Sequence, residues 1–151
     1  MWETDSKGTR HSPDVVVKTV TPDFELYDAG IVPANPDAAF LYKDRKAMAD
    51  DFADASKWVS ETDEKYNLIF SFASCDMVGV RWEMHGKSGK HENTTVHVPV
   101  GSPVEYKGID ILQVDLNTRM IRKAVSSADY LNYYAALGMD VLAPALKVKT
   151  C

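Results

Sequence analysis

Apolar and polar residues recur with two different periods along this chain, and the changes of period divide it into elements. Across residues 44–59, Met48, Phe52, Ala55 and Val59 recur at steps of 4, 3 and 4, with Asp50, Asp51, Asp54 and Lys57 opposite. That spacing predicts an amphipathic helix, anchored near its end by Trp58. Across residues 77–85 the period drops to two. Val78, Val80, Trp82 and Met84 share one face and Gly79, Arg81, Glu83 and His85 the other, as in a strand with one buried side. Residues 66–74 form a strand before it, and Cys75-Asp76 turns the chain. After a polar loop at 86–93, residues 94–100 resume as strand, with Pro99 marking an edge or a break. Residues 106–115 and 120–126, joined by the cluster Asp115 to Arg119, read as an antiparallel hairpin. Ser126 or Ser127 then caps a helix from about Ala128, with Leu131, Tyr134 and Leu137 on one face and Gly138 as its stop. Tyr130, Tyr133 and Tyr134 read as packing residues of that helix.

Nearer the start, Ser12-Pro13-Asp14 opens a short helix to about Val20, although Val15-Val16-Val17 favours strand. Residues 24–28 form a short strand and residues 29–37, with one Gly and two Pro, a loop. Residues 1–11 read as frayed and 139–151 as a tail, leaving one domain over 12–138. Helices followed by a run of antiparallel strands define an α+β fold, a curved antiparallel sheet cupping helices as a cone with a mouth. Cones of that kind hold small ligands.

Composition narrows the classes. At 151 residues with 45% hydrophobic and 26% charged residues, the chain is long enough to bury roughly 70% of its unfolded surface without staples. A net charge of −5 argues against nucleic acid, whose phosphates need a basic face. No apolar run reaches the length of a membrane span, and the first 13 residues are too polar for a signal peptide. The expectation is a cytoplasmic protein. Cys75 and Cys151 imply no disulfide framework, and Asn93-Thr94-Thr95 is a glycosylation tripeptide with no secretory signal behind it. His11, His91 and His97 lack metal-ligand spacing, so no metal is expected.

Three segments resemble a family. Residues 22–28, Pro-Asp-Phe-Glu-Leu-Tyr-Asp, are similar to the early strand of the SnoaL-like polyketide (ester) cyclases. Residues 76–86 resemble their D-x-V-x-V-R-W-x-x-x-G strand, and Gly108-Ile109-Asp110-Ile111-Leu112 their G-x-D-x-[FL] strand. The similarity covers about residues 20–138. It implies a nuclear-transport-factor-2-like fold, usually a homodimer, whose cyclase members close a polyketide ring by an intramolecular aldol condensation. That chemistry needs no metal or cofactor. A carboxylate takes a proton next to a carbonyl while a second polar group steadies the enolate.

Two departures stand out. The resemblance implies an acid/base carboxylate on the last strand, where this chain has Ala124, Val125 and Ser126. A serine hydroxyl cannot serve as base without a partner. The long helix that usually precedes the early strand is represented only by residues 12–20. Asp110 occupies a position where the family has a polar pocket residue and is the candidate base. If buried it has to be paired or protonated, and Arg122 on the returning strand is one available partner. Tyr27, Asp28, Trp58, Trp82, Tyr106, Arg122 and Ala124 complete the expected pocket lining. Arg81, Glu83 and His85 would form an outer face that packs in a dimer. Three functions follow: a cofactor-free cyclase or isomerase acting on a small apolar carbonyl compound, a non-catalytic binder of such a molecule, or a homodimeric interaction module.

Overall fold

A computed structural model of the chain describes residues 4, 11–29, 40–54, 61–90 and 96–140. The elements in order are α1 (Pro13–Thr19), β1 (Val20–Asp28), β2 (Phe40–Tyr42), α2 (Arg45–Ala53), β3 (Glu61–Ser74), β4 (Met77–Ser88), β5 (Pro103–Asp115), β6 (Met120–Ala128) and α3 (Tyr130–Ala136). The strands form one curved, unclosed sheet in the order β2-β1-β6-β5-β4-β3. The expected α+β architecture is present. The sheet is mixed rather than antiparallel, because β1 runs parallel to β6. That pairing is interrupted between Val20 and Glu25, a stretch containing Pro22, which has no N–H to give a ladder.

The helices cover one face. Val16 of α1, Met48 and Phe52 of α2, and Leu137 just past α3 are buried with Phe24, Leu26, Met84, Leu112 and Ala124 of the sheet. The alternation read in β4 holds: Val80, Trp82 and Met84 are buried while Arg81, Glu83 and His85 are half-buried on the other side. Two glycines are fixed by close approach. A Cβ on Gly108 would lie 2.1 Å from Trp82 Cζ2, and one on Gly79 2.2 Å from Phe72 Cζ. Each is the floor under an aromatic ring.

Several expectations are corrected. Residues 96–100 form no strand and lead into a turn at Gly101, whose φ is +91°. The helix begun by Asp44, whose Oδ1 accepts from the Ala47 N–H at 2.7 Å, ends at Ala53 rather than Val59. Trp58 and Val59 lie outside the described residues, as do most of residues 1–11, the loop at 30–39, Asn93 and the tail from 141. Ser12 sits at the start of α1 but its side chain makes no capping bond. At the other end β6 runs on to Ala128, so Asp129 caps α3. The covered side of α3 also differs from the expected one. Leu131 is 64% and Tyr134 39% exposed, while Tyr130 and Tyr133 turn towards the sheet.

Bulges break the side-to-side alternation, two of them beside the site. In β3, Leu68 pairs with Trp82 and Phe70 with Arg81, so Ile69 is an extra residue. In β6, Lys123 pairs with Gln113 and Ile121 with Val114, so Arg122 is an extra residue. A residue inserted in this way re-aims its neighbours.

Candidate functional site

Adjacent strands bring one polar row onto the helix-covered face. Asp28 of β1 is level with Ser126 of β6, Ser126 with Asp110 of β5, and Asp110 with Val80 of β4. One step along, the row Leu26, Ala124, Leu112 is apolar and buried. Residues two apart on a strand share a face, so the polar row lies directly beyond the core. Asp110 and Asp28 are 2% and 4% exposed. Burial of that depth demands hydrogen-bond partners. Ser126 Oγ donates to Asp110 Oδ1 at 2.7 Å, and the Tyr130 hydroxyl of α3 donates to Asp28 Oδ2 at 2.5 Å.

These residues border a cavity of about 80 Å³, whose wall also includes Trp82, Tyr106, Tyr66 and Leu41. Tyr66, Trp82, Tyr106 and Tyr133 form a run of edge-to-face rings with centroids 5.2 to 5.8 Å apart. Each such pair contributes about 0.5–1.5 kcal/mol beyond its buried area, so this wall is stiff. Burial, followed by the bond to Asp28, raises Tyr130 above the usual phenol range. Tyr133 is raised by burial and by its bond to Glu61. Both remain donors at neutral pH. Tyr66 donates to Glu64 at 3.0 Å. Among the described residues no group of three or more His, Cys, Asp or Glu is arranged to hold a metal ion, and no helix is long and apolar enough to cross a membrane.

Of the residues singled out from sequence, the cavity gathers Asp28, Trp82, Tyr106, Asp110 and Ser126. Tyr27 turns to the opposite face, against Phe40 and Lys123, and donates to Glu25. Adjacent strand residues point to opposite sides, so Asp28 inward puts Tyr27 outward. Ala124 is buried in the apolar row and is not part of this cavity's wall. Arg122 does not pair with Asp110. As the extra residue of the β6 bulge it lies exposed, 3.3 Å from Asp23 Oδ2. Sequence reading missed Tyr130, Tyr66 and Leu41. Tyr130 is the first residue of α3, and the cap at Asp129 marks that start.

With this geometry in view, the comparisons with known proteins are consistent. Residues 5–140 match the model of the NTF2-like domain, and the chain belongs to that family. No curated protein matches it. Among solved structures it is similar to a protein assigned as a SnoaL-like polyketide cyclase from Shewanella denitrificans, at 17% identity and a TM-score of 0.65, covering 85% of this chain and 86% of that one. It is also similar to IdmH from Streptomyces antibioticus, assigned as a polyketide cyclase, at 18% identity and a TM-score of 0.60, covering 83% and 86%. A third is a protein of ketosteroid isomerase-like fold from Catenulispora acidiphila in complex with trimethylamine, at 11% identity and a TM-score of 0.62, covering 90% and 85%. At these identities the likeness is one of fold.

Proposed function

We propose that this chain binds a compact carbonyl compound in the cavity at Asp110 and that Asp110 moves a proton on it, as a cofactor-independent isomerase or cyclase. The observation that carries this reading is the buried Ser126–Asp110 hydrogen bond at the cavity wall. The resemblance expects the base on β6. Here β6 offers a hydroxyl, and the directly opposed residue of β5 offers the carboxylate. One interstrand spacing of about 4.8 Å separates the two backbones, so the base is displaced by one strand and Ser126 fixes its orientation.

The chemistry follows from that arrangement. The carboxylate takes a hydrogen from the carbon next to the carbonyl. The C–H electron pair becomes the new C=C bond and the carbonyl π pair moves to oxygen, giving an enolate. Returning the proton to another carbon completes an isomerisation, and attack of the enolate carbon on a second carbonyl closes a ring. The cavity limits what enters. About 80 Å³ equals roughly two to three waters at about 30 Å³ each, far below the ~300–1,000 Å³ of clefts for drug-sized ligands. A carbonyl head group fits inside, and a larger body would lie at the mouth beside half-exposed Leu41.

Exchange of the α-hydrogens of cyclopentanone in D2O, followed by proton NMR, tests this. The protein accelerates the exchange, and Asp110→Asn lowers the rate by at least about 100-fold, the usual scale of a positioned general base. An unchanged rate in a folded Asp110→Asn variant would reject Asp110 as base.

A second reading concerns assembly. Phe70 and Phe72 are 52% and 58% exposed on the sheet face opposite the helices, level with Arg81 and Gly79. Exposed apolar patches of this kind mark association sites, and the fold resemblance implies a homodimer. Sedimentation velocity is expected to give a dimer for the parent chain and a monomer for Phe70→Glu/Phe72→Glu. A parent chain that sediments as a monomer at 100 µM or so would exclude it.

A further inference from the structure

We infer that the indole N–H of Trp82 is the donor that receives the ligand's carbonyl oxygen, and that the cavity therefore takes a neutral carbonyl compound and refuses its carboxylate counterpart. This rests on the reading that the cavity beside Asp110 is the ligand site, and it names the group that holds the oxygen and the class of molecule held.

Trp82 is buried and borders the cavity, yet its Nε1 has no hydrogen-bond partner among the described residues. An indole nitrogen is a donor only. A buried donor left without an acceptor is costly, and an exception of this kind calls for an explanation. The ring has no freedom to find a partner elsewhere. It lies flat on Gly108, with the position of a missing Cβ 2.1 to 2.6 Å from its Cζ2, Cη2 and Cε2, and Tyr66 and Tyr106 hold it edge to face from both sides.

Its place relative to Asp110 is set by the ladder. Val80 opposes Asp110 and Trp82 opposes Gly108, so Trp82 is the diagonal neighbour of Asp110 on the same face, about 7–8 Å away between Cα atoms. A base and an unpaired donor separated in this way suit the two ends of an enolising unit, the C–H and the oxygen. Three hydroxyl donors of the wall are engaged: Ser126 on Asp110, Tyr130 on Asp28 and Tyr66 on Glu64. Among the described residues the lining includes two buried carboxyl groups and no Lys, Arg or His. An anionic ligand would enter a low-dielectric space holding acids and no cation, which a neutral indole N–H does not offset.

The test uses the 15N-labelled full chain and its indole N–H resonances, with that of Trp82 assigned by its loss in Trp82→Phe. Titration of the parent chain with cyclopentanone moves the Trp82 indole proton downfield, whereas cyclopentanecarboxylate at the same concentration leaves it in place. Trp82→Phe slows α-hydrogen exchange by about 100-fold, the lower end of what loss of one oxyanion donor costs. An indole resonance unmoved by the ketone, or moved equally by the carboxylate, overturns the inference, and the parent-chain titration decides this even if Trp82→Phe fails to fold. The two readings fail separately. A shifted indole resonance with no exchange supports Trp82 and removes Asp110 as base. Exchange that depends on Asp110 while the indole stays silent keeps the base and removes Trp82.

Discussion

The hydroxyl of Ser126 donates to Oδ1 of Asp110 over 2.7 Å, between residues directly opposed on β6 and β5. Removing one member of such a pair takes a hydrogen bond from the other in a buried setting, which costs about 1–3 kcal/mol. Ser126→Ala is expected to lower stability by that amount in urea melts. Asp110→Asn keeps an acceptor for the hydroxyl and is expected to cost less. The double variant Ser126→Ala/Asp110→Leu, combined with its two single variants, is expected to give a coupling of about 1 kcal/mol or more. A coupling of zero would mean that the bond contributes nothing to the folded state.

Gly108 is defined by its neighbour. With a Cβ only 2.1 Å from Trp82 Cζ2, Gly108→Ala forces the indole out of its seat and is expected to destabilise by about 1–3 kcal/mol, as overpacking does. The tryptophan bands of the near-ultraviolet circular dichroism should change with it. Gly101→Ala makes a useful contrast. Among the described residues no atom lies within 4 Å of the added Cβ, but the φ of +91° is strained for alanine, so it costs stability without touching those bands.

His85 lies between two carboxylates, Nε2 at 3.1 Å from Glu83 and Nδ1 at 3.1 Å from Glu105. Both ring nitrogens can donate only in the imidazolium form, and the bond to Glu83, then that to Glu105, raises His85 above its ordinary value of 6.5. The group is more charged folded than unfolded at intermediate pH. Its contribution is therefore complete below about pH 6.5 and disappears as pH rises through the folded-state value. Thermal melts of the parent chain and His85→Gln should differ at pH 6 and converge in alkaline buffer. Because the ring is 41% exposed, added salt should shrink the difference. A difference that is independent of pH would contradict the assignment.

Tyr130 and Tyr133 are both raised above the usual phenol range, chiefly by burial and then by Asp28 and Glu61. Of the seven tyrosines in the chain, at least two should fail to ionise at pH 11 until the protein unfolds. The sign follows from the shift. The buried neutral phenols stabilise the fold fully below about pH 10, and that contribution falls as pH rises through their folded-state values. Absorbance at 295 nm in native and urea-unfolded protein counts them directly, and Tyr130→Phe should remove one from the late-ionising set. Normal titration of all seven in the folded chain would show these hydroxyls to be open to water.

Much of this was legible from residue pattern alone, and the misses have local causes. The period-two run at 77–85 gave β4 and its buried side because no bulge interrupts β4 against β5. Asp110 and Ser126 line one cavity because they lie on opposed strands of one hairpin, a pairing that the turn between them makes legible. Arg122 was misplaced because a strand pattern is counted in steps of two, and an extra residue in β6 has no signature in composition. Tyr27 was misplaced through the resemblance, which marks a Tyr-Asp pair without saying which member points inwards. Tyr130 reads as packing because its hydroxyl's partner, Asp28, lies 102 residues away in sequence and has no local signature. The parallel pairing of β1 with β6 joins segments about 100 residues apart, a contact for which local sequence holds no signal.

The irregularity at Ile69 bears on more than strand geometry. Tyr66, Leu68, Phe70 and Phe72 alternate as though they belonged to a single buried stripe, yet the first two share the sheet side of Trp82 and the last two share that of Arg81. One unpaired position thus lets a single hydrophobic repeat serve two clients, an interior wall and an external contact. Pairing on either side of it is already continuous, so a chain lacking Ile69 would keep every neighbouring side chain on its present side. Shortening by one residue here would be silent, whereas losing Ser71 would bring Phe72 next to Phe70 and turn one of the two sticky rings towards the hollow.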